Sequence, residues 1–384
     1  MRVLIAPDSF KGSLTSVAVA EALADGWRRG RPLDDIRLIP LADGGEGTLE
    51  AIKAMRSDWV ELPAHARDPL GRPISATFLR RGAAGVVELA SASGLFRLGA
   101  GELDPLRAST FGAGQVLAAA IGLGVRDVVL GLGGSATSDG GAGLLRALGA
   151  RFLDERGLEL ADGGGALAQL ARVDFVELAP ILGEVRLTVA SDVTNPLLGE
   201  RGAAATYGPQ KGADAAAVAA LDAALTRYAD VLEAASGRSI RDVPGAGAAG
   251  GTTAGLLAIA DRFASFEVRP GVEVLMDLTD FDEALSTSDI VLTGEGRVDE
   301  QTAYGKTAMG VARRAHEARV RCLCFTGGAD AAGIATLAAA GAIVVPVIER
   351  PMTVVEAMEA GVQPVNRAAE RVARLLLSDA RDPR

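Results

Sequence analysis

The stretch RVLIAPDSFKGSLTSVAVAEALADGWRRG, residues 2–30, contains a complete strand, loop and helix unit. Its apolar run at residues 3–6 is short and uninterrupted, which is typical of a strand buried on both faces of a parallel sheet. The run stops at the polar loop 7–12, and a helical pattern follows from residue 15 to residue 29. The beginning of the chain therefore predicts an α/β fold.

The same unit recurs along the chain. Residues 36–41, a glycine-rich loop and residues 49–55 form a second copy. Towards the other end, apolar runs that each precede a helical pattern lie at 289–293, 321–325 and 342–348. Strands that alternate with helices favour a parallel sheet, so we expect the two ends of the chain to share one.

The middle of the chain has a different texture. Residues 59–90 alternate in short β stretches broken by turns, which predicts antiparallel strands. We therefore predict an α/β fold of two domains, a flavodoxin- or Rossmann-like parallel-sheet domain from residues 1–62 and 285–384, and an inserted mixed α/β domain from residues 63–284. Ligands of open α/β sheets gather at the carboxyl ends of strands, so we expect the active site in the cleft between the domains.

Composition excludes several classes of function. The net charge of -10 over 384 residues argues against a nucleic-acid or anionic-membrane binder, because both need a broad positive surface. The first apolar run is too short for a signal peptide, which predicts a cytoplasmic protein. Residues 331–348 carry no charge, and we interpret them as a short helix, a turn at 340–341 and a strand rather than a membrane span.

The two cysteines lie two residues apart in an apolar run. Cys322 and Cys324 would point to one face of a strand, and we interpret them as buried thiols in a reducing compartment. A redox-active pair is the alternative.

Lysine is rare and its placement is informative. Three of the four lysines, Lys11, Lys211 and Lys306, lie beside a glycine, whereas arginine supplies nearly all other positive charge. A compact ammonium at a permissive stretch of backbone is typical of a phosphate site. Because glycine is abundant in this chain, chance is the alternative explanation.

The glycine-rich segment 131–141 lies between a predicted strand and a predicted helix. Its glycines allow close approach to a ligand, and its hydroxyl and carboxylate side chains favour phosphate and metal. A tight structural turn is one alternative. Another is a dinucleotide fingerprint at 131–136 with Asp154 downstream, although the helical pattern begins only after Asp139. The candidate phosphate-binding residues are Gly133, Gly134, Ser135, Thr137 and Gly140.

The loop at 294–306 mixes carboxylates with cations. Glu295 and Asp299 stand beside Arg297 and Lys306, a mixture that suits a metal-bridged phosphate or a carboxylate substrate. A solvated charged loop is the alternative. The segment ends like a phosphate-binding Walker loop, but Glu300 occupies the place of its first glycine, so we do not expect that class of kinase.

Asp192 directly follows a predicted strand. A carboxylate there is placed to accept a hydroxyl proton, with Asn195 one turn beyond to hold metal or substrate. An Asx turn before Pro196 is the alternative.

Seven motifs in family order, covering nearly the whole chain, resemble the bacterial glycerate kinase family, a class distinct from P-loop and ribokinase-like kinases. They are IAPDSFKGS from Ile5, ADGGEGT from Ala42, GGSAT from Gly133, DVTNPL from Asp192, GPQKGA from Gly208, GAGAAGG from Gly245, and TGEGRVDEQT from Thr293 together with Gly305–Lys306. Ser138 stands where the family usually has Asn, and Thr252 and Thr253 replace a more apolar pair.

The resemblance implies ATP-dependent phosphorylation of D-glycerate with Mg²⁺, with 2-phosphoglycerate favoured over 3-phosphoglycerate. A nicotinamide oxidoreductase and a non-catalytic sugar-acid-binding protein stay as alternatives. We expect no nucleic-acid or membrane partner, and monomer and homodimer are both left open.

On this hypothesis the phosphates lie on the 133–141 loop with Lys211 nearby, and Lys11 and Lys306 neutralise charge. Asp192 is the base, and Glu295 or Asp299 holds Mg²⁺ with help from Asp139. The candidate substrate-binding residues are Asp8, Ser9, Asp43, Glu46, Asn195, Arg297 and Gln301.

Overall fold

A computed structural model describes residues 1–42, 44–45, 47–99, 101–299 and 307–378. The chain divides into two compact units. We call them the terminal unit, Met1–Asp43, Glu50–Ser57 and Val272–Arg384, and the central unit, Gly44–Leu49 and Asp58–Gly271.

In chain order, the strands of the described residues are β1 (Arg2–Ile5), β2 (Asp35–Leu38), β3 (Val60–Arg67), β4 (Pro73–Arg81), β5 (Ala84–Glu88), β6 (Asp127–Gly131), β7 (Arg151–Leu153), β8 (Arg172–Asp174), β9 (Arg186–Ala190), β10 (Ser265–Arg269), β11 (Ile290–Val298), β12 (Arg321–Ala329) and β13 (Ala342–Pro346).

The α-helices are α1 (Ser16–Gly30), α2 (Thr48–Met55), α3 (Ala90–Ser93), α4 (Phe111–Gly122), α5 (Ala142–Ala147), α6 (Ala203–Tyr207), α7 (Ala215–Ser236), α8 (Ala248–Ala258), α9 (Gly271–Leu278), α10 (Phe281–Ser286), α11 (Thr307–Glu317), α12 (Ala331–Ala339), α13 (Val354–Glu359) and α14 (Gln363–Ser378).

Strands from both ends of the chain form the sheet of the terminal unit. Its order is β13-β12-β11-β1-β2, and every neighbouring pair is parallel. The predicted α/β fold with a parallel sheet from both termini is thereby confirmed. The segment 331–348 forms α12 and β13, as expected from its turn signal.

The first and last helices, α1 and α14, pack closely against each other. The hydroxyl of Thr15 caps α1 by accepting the N–H of Ala18. A Cβ placed on Gly26 would lie 2.0 Å from the Asn366 carbonyl oxygen, and one on Gly30 would lie 2.6 Å from the Ala373 Cβ. Side chains at these two glycines would clash, so their absence permits the close packing of the two helices.

The central unit contains a mixed sheet in the order β10-β9-β6-β5-β4-β3. The pairs β3–β4 and β4–β5 are antiparallel, as predicted for residues 59–90, and the remaining pairs are parallel. Strands β7 and β8 form a separate antiparallel pair.

The boundaries of the compact units differ from the predicted domain limits at 62/63 and 284/285. Strand β3 begins at Val60 and pairs with β4 along its whole length, which places residues 58–62 in the central unit. The chain returns to the terminal unit at Val272, where Arg314 forms ion pairs with Glu273 and Asp282. The cleft between the two domains stays a prediction.

No helix within the described residues is long and apolar enough to cross a membrane. Cys322 and Cys324 are buried free thiols, as predicted, and burial raises the pKa of the Cys322 thiol to about 12.

Candidate active site

In the terminal unit, the loop after β1 is fixed against the carboxyl end of β11. The Asp8 N–H donates to the Gly294 carbonyl oxygen over 2.8 Å. The Asp8 carboxylate accepts the Ser9 N–H over 2.6 Å and the Thr307 hydroxyl over 2.7 Å. Asp8, itself 6% exposed, is thereby placed beside the segment that carries Glu295.

A cavity of about 560 Å³ opens at these strand ends. Its polar lining includes Asp8, Ser9, Lys11, Glu295 and Arg297, and all five are candidate site residues predicted from the sequence. The structure therefore brings the predicted residues of β1 and β11 around one space.

The charged groups of the cavity differ in exposure. Lys11 is exposed, whereas Glu295 is only 7% exposed. The Arg297 side chain is 75% exposed, and its Nε lies 3.5 Å from a carboxylate oxygen of Asp299, just beyond the end of β11. The cavity thus combines accessible cations with a sheltered carboxylate.

Part of the cavity wall is apolar and was not predicted from the sequence. Val347 and Ile348, which follow β13, line the cavity together with Val354, Ala357 and Met358 of α13. The available signal was the run MTVVEAM at 352–358. It places two valines and two methionines in or beside a helix of only six residues. A Thr353 and Glu356 capping box starts this helix.

The glycine-rich segment of the central unit is largely closed. Ser135 and Thr137 are 6% and 0% exposed, and the Lys211 ammonium donates to the Ser135 hydroxyl over 3.0 Å and to the Thr137 carbonyl oxygen over 2.6 Å. The Gly140 N–H donates to the Gly250 carbonyl oxygen, and the Gly140 carbonyl oxygen accepts the Tyr228 hydroxyl. The predicted phosphate-binding residues are thus brought together, but mainly by contacts within the protein.

One corner of this segment faces outward. Gly134 is exposed and Gly133 is partly exposed, with Gly134 at a φ of 74° that favours glycine. The Gly133 N–H already donates to the Gly44 carbonyl oxygen over 3.3 Å. This corner is the part of the segment that a ligand can reach.

Asp139 is fully buried and holds the start of α5. Its two carboxylate oxygens accept the N–H groups of Thr110, Gly141 and Gly143 and the Thr110 hydroxyl. Burial raises the pKa of this carboxyl group, although these hydrogen bonds oppose the rise. The arrangement is that of a structural carboxylate, because its acceptor sites serve protein donors.

Lys211 is 2% exposed. Burial lowers the pKa of its ammonium from 10.5 to about 7, and the Asp139 carboxylate partly opposes that change. An amine inside the central unit therefore titrates near neutral pH.

Asp192 follows β9 and is partly buried, and its carboxylate accepts the Gly271 N–H over 3.0 Å. The Asn195 side chain forms hydrogen bonds within the segment that follows it. Its Nδ2 donates to the Arg201 carbonyl oxygen, and its Oδ1 accepts the Tyr207 hydroxyl. One predicted residue of this segment is thus oriented at a strand end, and the other is engaged in local structure.

Several predicted residues lie outside the described residues. They are Asp43, Glu46, Gln301 and Lys306. Within the described ranges, no group of three or more His, Cys, Asp or Glu side chains is arranged to hold a metal ion.

The dinucleotide fingerprint at 131–136 is not followed directly by a helix, as a dinucleotide-binding site requires. Helix α5 begins at Ala142, so the third small residue of the pattern, Ala136, does not lie at a helix start. Asp154 instead accepts the N–H groups of Arg156 and Leu158 in its own turn.

Comparisons with known proteins agree on one family. Residues 3–377 match the profile of the Glycerate kinase family. A glycerate kinase of Halalkalibacterium halodurans is 42% identical over 374 residues, covering 97% of each chain, and a glycerate 2-kinase of Escherichia coli is 41% identical over 314 residues, covering 81% of each. The solved structure of glycerate kinase 2 from Salmonella typhimurium LT2 matches all of both chains with a TM-score of 0.83 and 38% identity.

Proposed function

Because this chain belongs to the glycerate kinase family, we propose that it transfers the γ-phosphoryl group of ATP to D-glycerate with Mg²⁺, giving 2-phosphoglycerate and ADP. The observation that carries the proposal is the cavity of the terminal unit, which gathers Asp8, Lys11, Glu295 and Arg297 at the carboxyl ends of parallel strands. Cations beside carboxylates suit anionic substrates that are bridged by a metal ion.

The donor set of the cavity fits Mg²⁺. Mg²⁺ prefers oxygen ligands and commonly binds through one or two carboxylates, with water and substrate phosphates completing its shell. Glu295 and Asp8 lie on adjacent strand ends of this cavity, and Asp299 follows on the same segment as Glu295. When bound, Mg²⁺ would neutralise phosphate charge. Asp139 is left out of this proposed set because it is fully buried, does not line the cavity and accepts hydrogen bonds from four protein donors.

Asp192 is the proposed general base. As the C2 hydroxyl oxygen of glycerate forms its bond to the γ-phosphorus, the hydroxyl proton passes to the Asp192 carboxylate and the bond from phosphorus to the ADP oxygen breaks. The hydrogen bond from the Gly271 N–H supports this role, because it fixes the orientation of the carboxylate.

The remaining assignments follow from charge. Lys11 and Lys306 neutralise the transferred phosphoryl group, and Arg297 binds the glycerate carboxylate, as a guanidinium does well. Ser9, Asp43, Glu46, Asn195 and Gln301 stay predicted substrate residues, and the corner at Gly133 and Gly134 stays the predicted phosphate contact of the central unit.

The proposed product rests on the name of one relative. The Escherichia coli protein is named a glycerate 2-kinase, which favours phosphorylation at C2. Free buried thiols suit a reducing compartment, so we propose a cytoplasmic location. Monomer and homodimer both stay open as the oligomeric state.

The test is a turnover assay on the purified protein with D-glycerate, ATP and Mg²⁺, following ADP and resolving the product by ³¹P NMR. We expect 2-phosphoglycerate as the product. Formation of 3-phosphoglycerate would refute the position of transfer, and folded protein without glycerate-dependent ADP formation would refute the kinase assignment.

The matched variant for the base is Asp192→Asn. Asparagine keeps an oxygen that accepts the Gly271 N–H but cannot take the proton, so we expect kcat to fall roughly 10²- to 10⁴-fold with stability retained. A kcat loss of less than about tenfold would remove Asp192 as the base.

A further inference from the structure

The cavity of the terminal unit is larger and more apolar than a three-carbon acid requires. Its volume of about 560 Å³ lies within the usual range for nucleotide- and drug-sized ligands, which is roughly 300–1,000 Å³. D-Glycerate has no extended apolar surface to place against Val347, Ile348 and Met358. The cavity therefore calls for a ligand with both an apolar and an anionic part.

The apolar wall is accessible. Val354 is 76% exposed and Met358 is 41% exposed, although both line the cavity. Covering apolar side chains with a flat aromatic group removes them from water, and the flexible thioether of methionine adapts well to such a surface. These exposed side chains on α13 are therefore available to contact a ligand in the cavity.

The polar lining suits phosphate. Lys11 supplies exposed positive charge. Gly327 and Gly328 lie at the carboxyl end of β12, and a Cβ on Gly328 would have no heavy atom within 4 Å among the described residues. A ligand can therefore lie directly against this stretch of backbone, as phosphates do at glycine-rich strand ends.

We propose that this cavity is the nucleotide site, with the adenine base on the apolar wall of α13 and residues 347–348, and the phosphates towards Lys11 and Gly328. The inference rests on the proposed function in taking a nucleoside triphosphate as the donor. It moves the main nucleotide contacts from the 133–141 segment to the terminal unit.

The experiment compares two neighbouring positions on α13. Ala357→Trp fills the cavity, whereas Val355→Trp adds the same side chain at a position that is 63% exposed and not part of the lining. ADP binding with Mg²⁺ is measured by titration calorimetry without glycerate. We expect Ala357→Trp to raise the ADP Kd at least about tenfold, and Val355→Trp to leave it within about twofold.

A second pair of variants tests the same wall with a different side chain, in case Ala357→Trp does not fold. Met358→Glu places a carboxylate on the apolar wall, and Val355→Glu is its control on the same helix. Thermal unfolding checks that each variant is folded. We expect Met358→Glu to weaken ADP binding and to raise the KM for ATP more than the KM for glycerate.

The outcomes separate this inference from the proposed function. Unchanged ADP binding in both cavity variants, or a rise only in the KM for glycerate, would overturn the nucleotide site even if the enzyme phosphorylates glycerate. ADP binding that is lost in the cavity variants, in a protein that does not turn over glycerate, would support the site and refute the proposed function. No ADP binding by the wild-type protein would overturn the nucleotide site.

Discussion

The glycine-rich segment of the central unit and the strand-end loops of the terminal unit contain similar residues in different states. In the first, Ser135, Thr137 and Asp139 are buried, and the side chains of Ser135 and Asp139 are hydrogen-bonded within the protein. In the second, Lys11 and Arg297 are exposed around a cavity. Glycine, hydroxyl and lysine therefore indicate a ligand site only where the fold leaves them accessible.

The greatest loss of stability is expected at the closed segment. Asp139→Ala leaves the buried N–H groups of Thr110, Gly141 and Gly143 without their acceptor, so we expect the free energy of unfolding to fall by about 3–5 kcal/mol. Urea unfolding measures it. The control is Ser138→Ala, because the buried Ser138 hydroxyl has no hydrogen-bond partner among the described residues and its loss is expected to change stability little. A stable Asp139→Ala protein that has lost only activity would instead indicate a metal ligand.

The two lysines provide the next test. Lys11→Met removes an exposed cation, and we expect kcat/KM to fall roughly 10²- to 10³-fold with the melting temperature unchanged. Lys211→Met removes the buried donor to Ser135 and Thr137, and we expect mainly a loss of stability. Steady-state kinetics and thermal unfolding of both variants measure the contrast. Equal changes in kcat/KM and in melting temperature in both variants would contradict the distinction between the open cavity of the terminal unit and the closed segment of the central unit.

The pH dependence of stability tests the buried ammonium. Between the native pKa of about 7 and the ordinary value of 10.5, the unfolded chain keeps a proton that native Lys211 has lost. The unfolded state then binds more protons, so this lysine makes the free energy of unfolding rise with pH across that window. Urea unfolding of the wild type and of Lys211→Met should show the wild type gaining stability relative to the variant from about pH 7 to about pH 10. A constant or falling difference would contradict the lowered pKa.

The smallest effect is expected at Gly134, in the exposed corner of the glycine-rich segment. Gly134→Ala forces a side chain into a left-handed backbone conformation, so we expect a loss of about 1–2 kcal/mol in stability. We expect the KM for ATP to change less than in Ala357→Trp, because the main nucleotide contacts are assigned to the terminal unit. A larger rise in the KM for ATP would return the phosphates to this segment.

Much of the fold follows from local patterns. Short apolar runs predicted β1, β11 and β12, and the turn at 340–341 separated α12 from β13 correctly. The domain limits were harder to place, because β3 belongs to a sheet through its pairing with β4, which apolar periodicity does not reveal.

Part of the cavity lining was predicted from the sequence. Asp8 and Glu295 come together because parallel strands end at one edge, a rule that sequence reasoning can apply. Met358 and Val354 were missed because their role depends on where α13 lies. The closed state of Asp139 also escaped prediction, since its partner Thr110 is distant in sequence.

Hydrogen–deuterium exchange of the wild-type protein, with and without ADP and Mg²⁺, locates the nucleotide without any substitution. We expect ADP to slow exchange in residues 8–14, 327–330 and 347–361, while residues 135–141 keep the same slow exchange. Protection by ADP that is confined to residues 131–141, with no change around α13, would contradict the assignment of the nucleotide to the terminal unit.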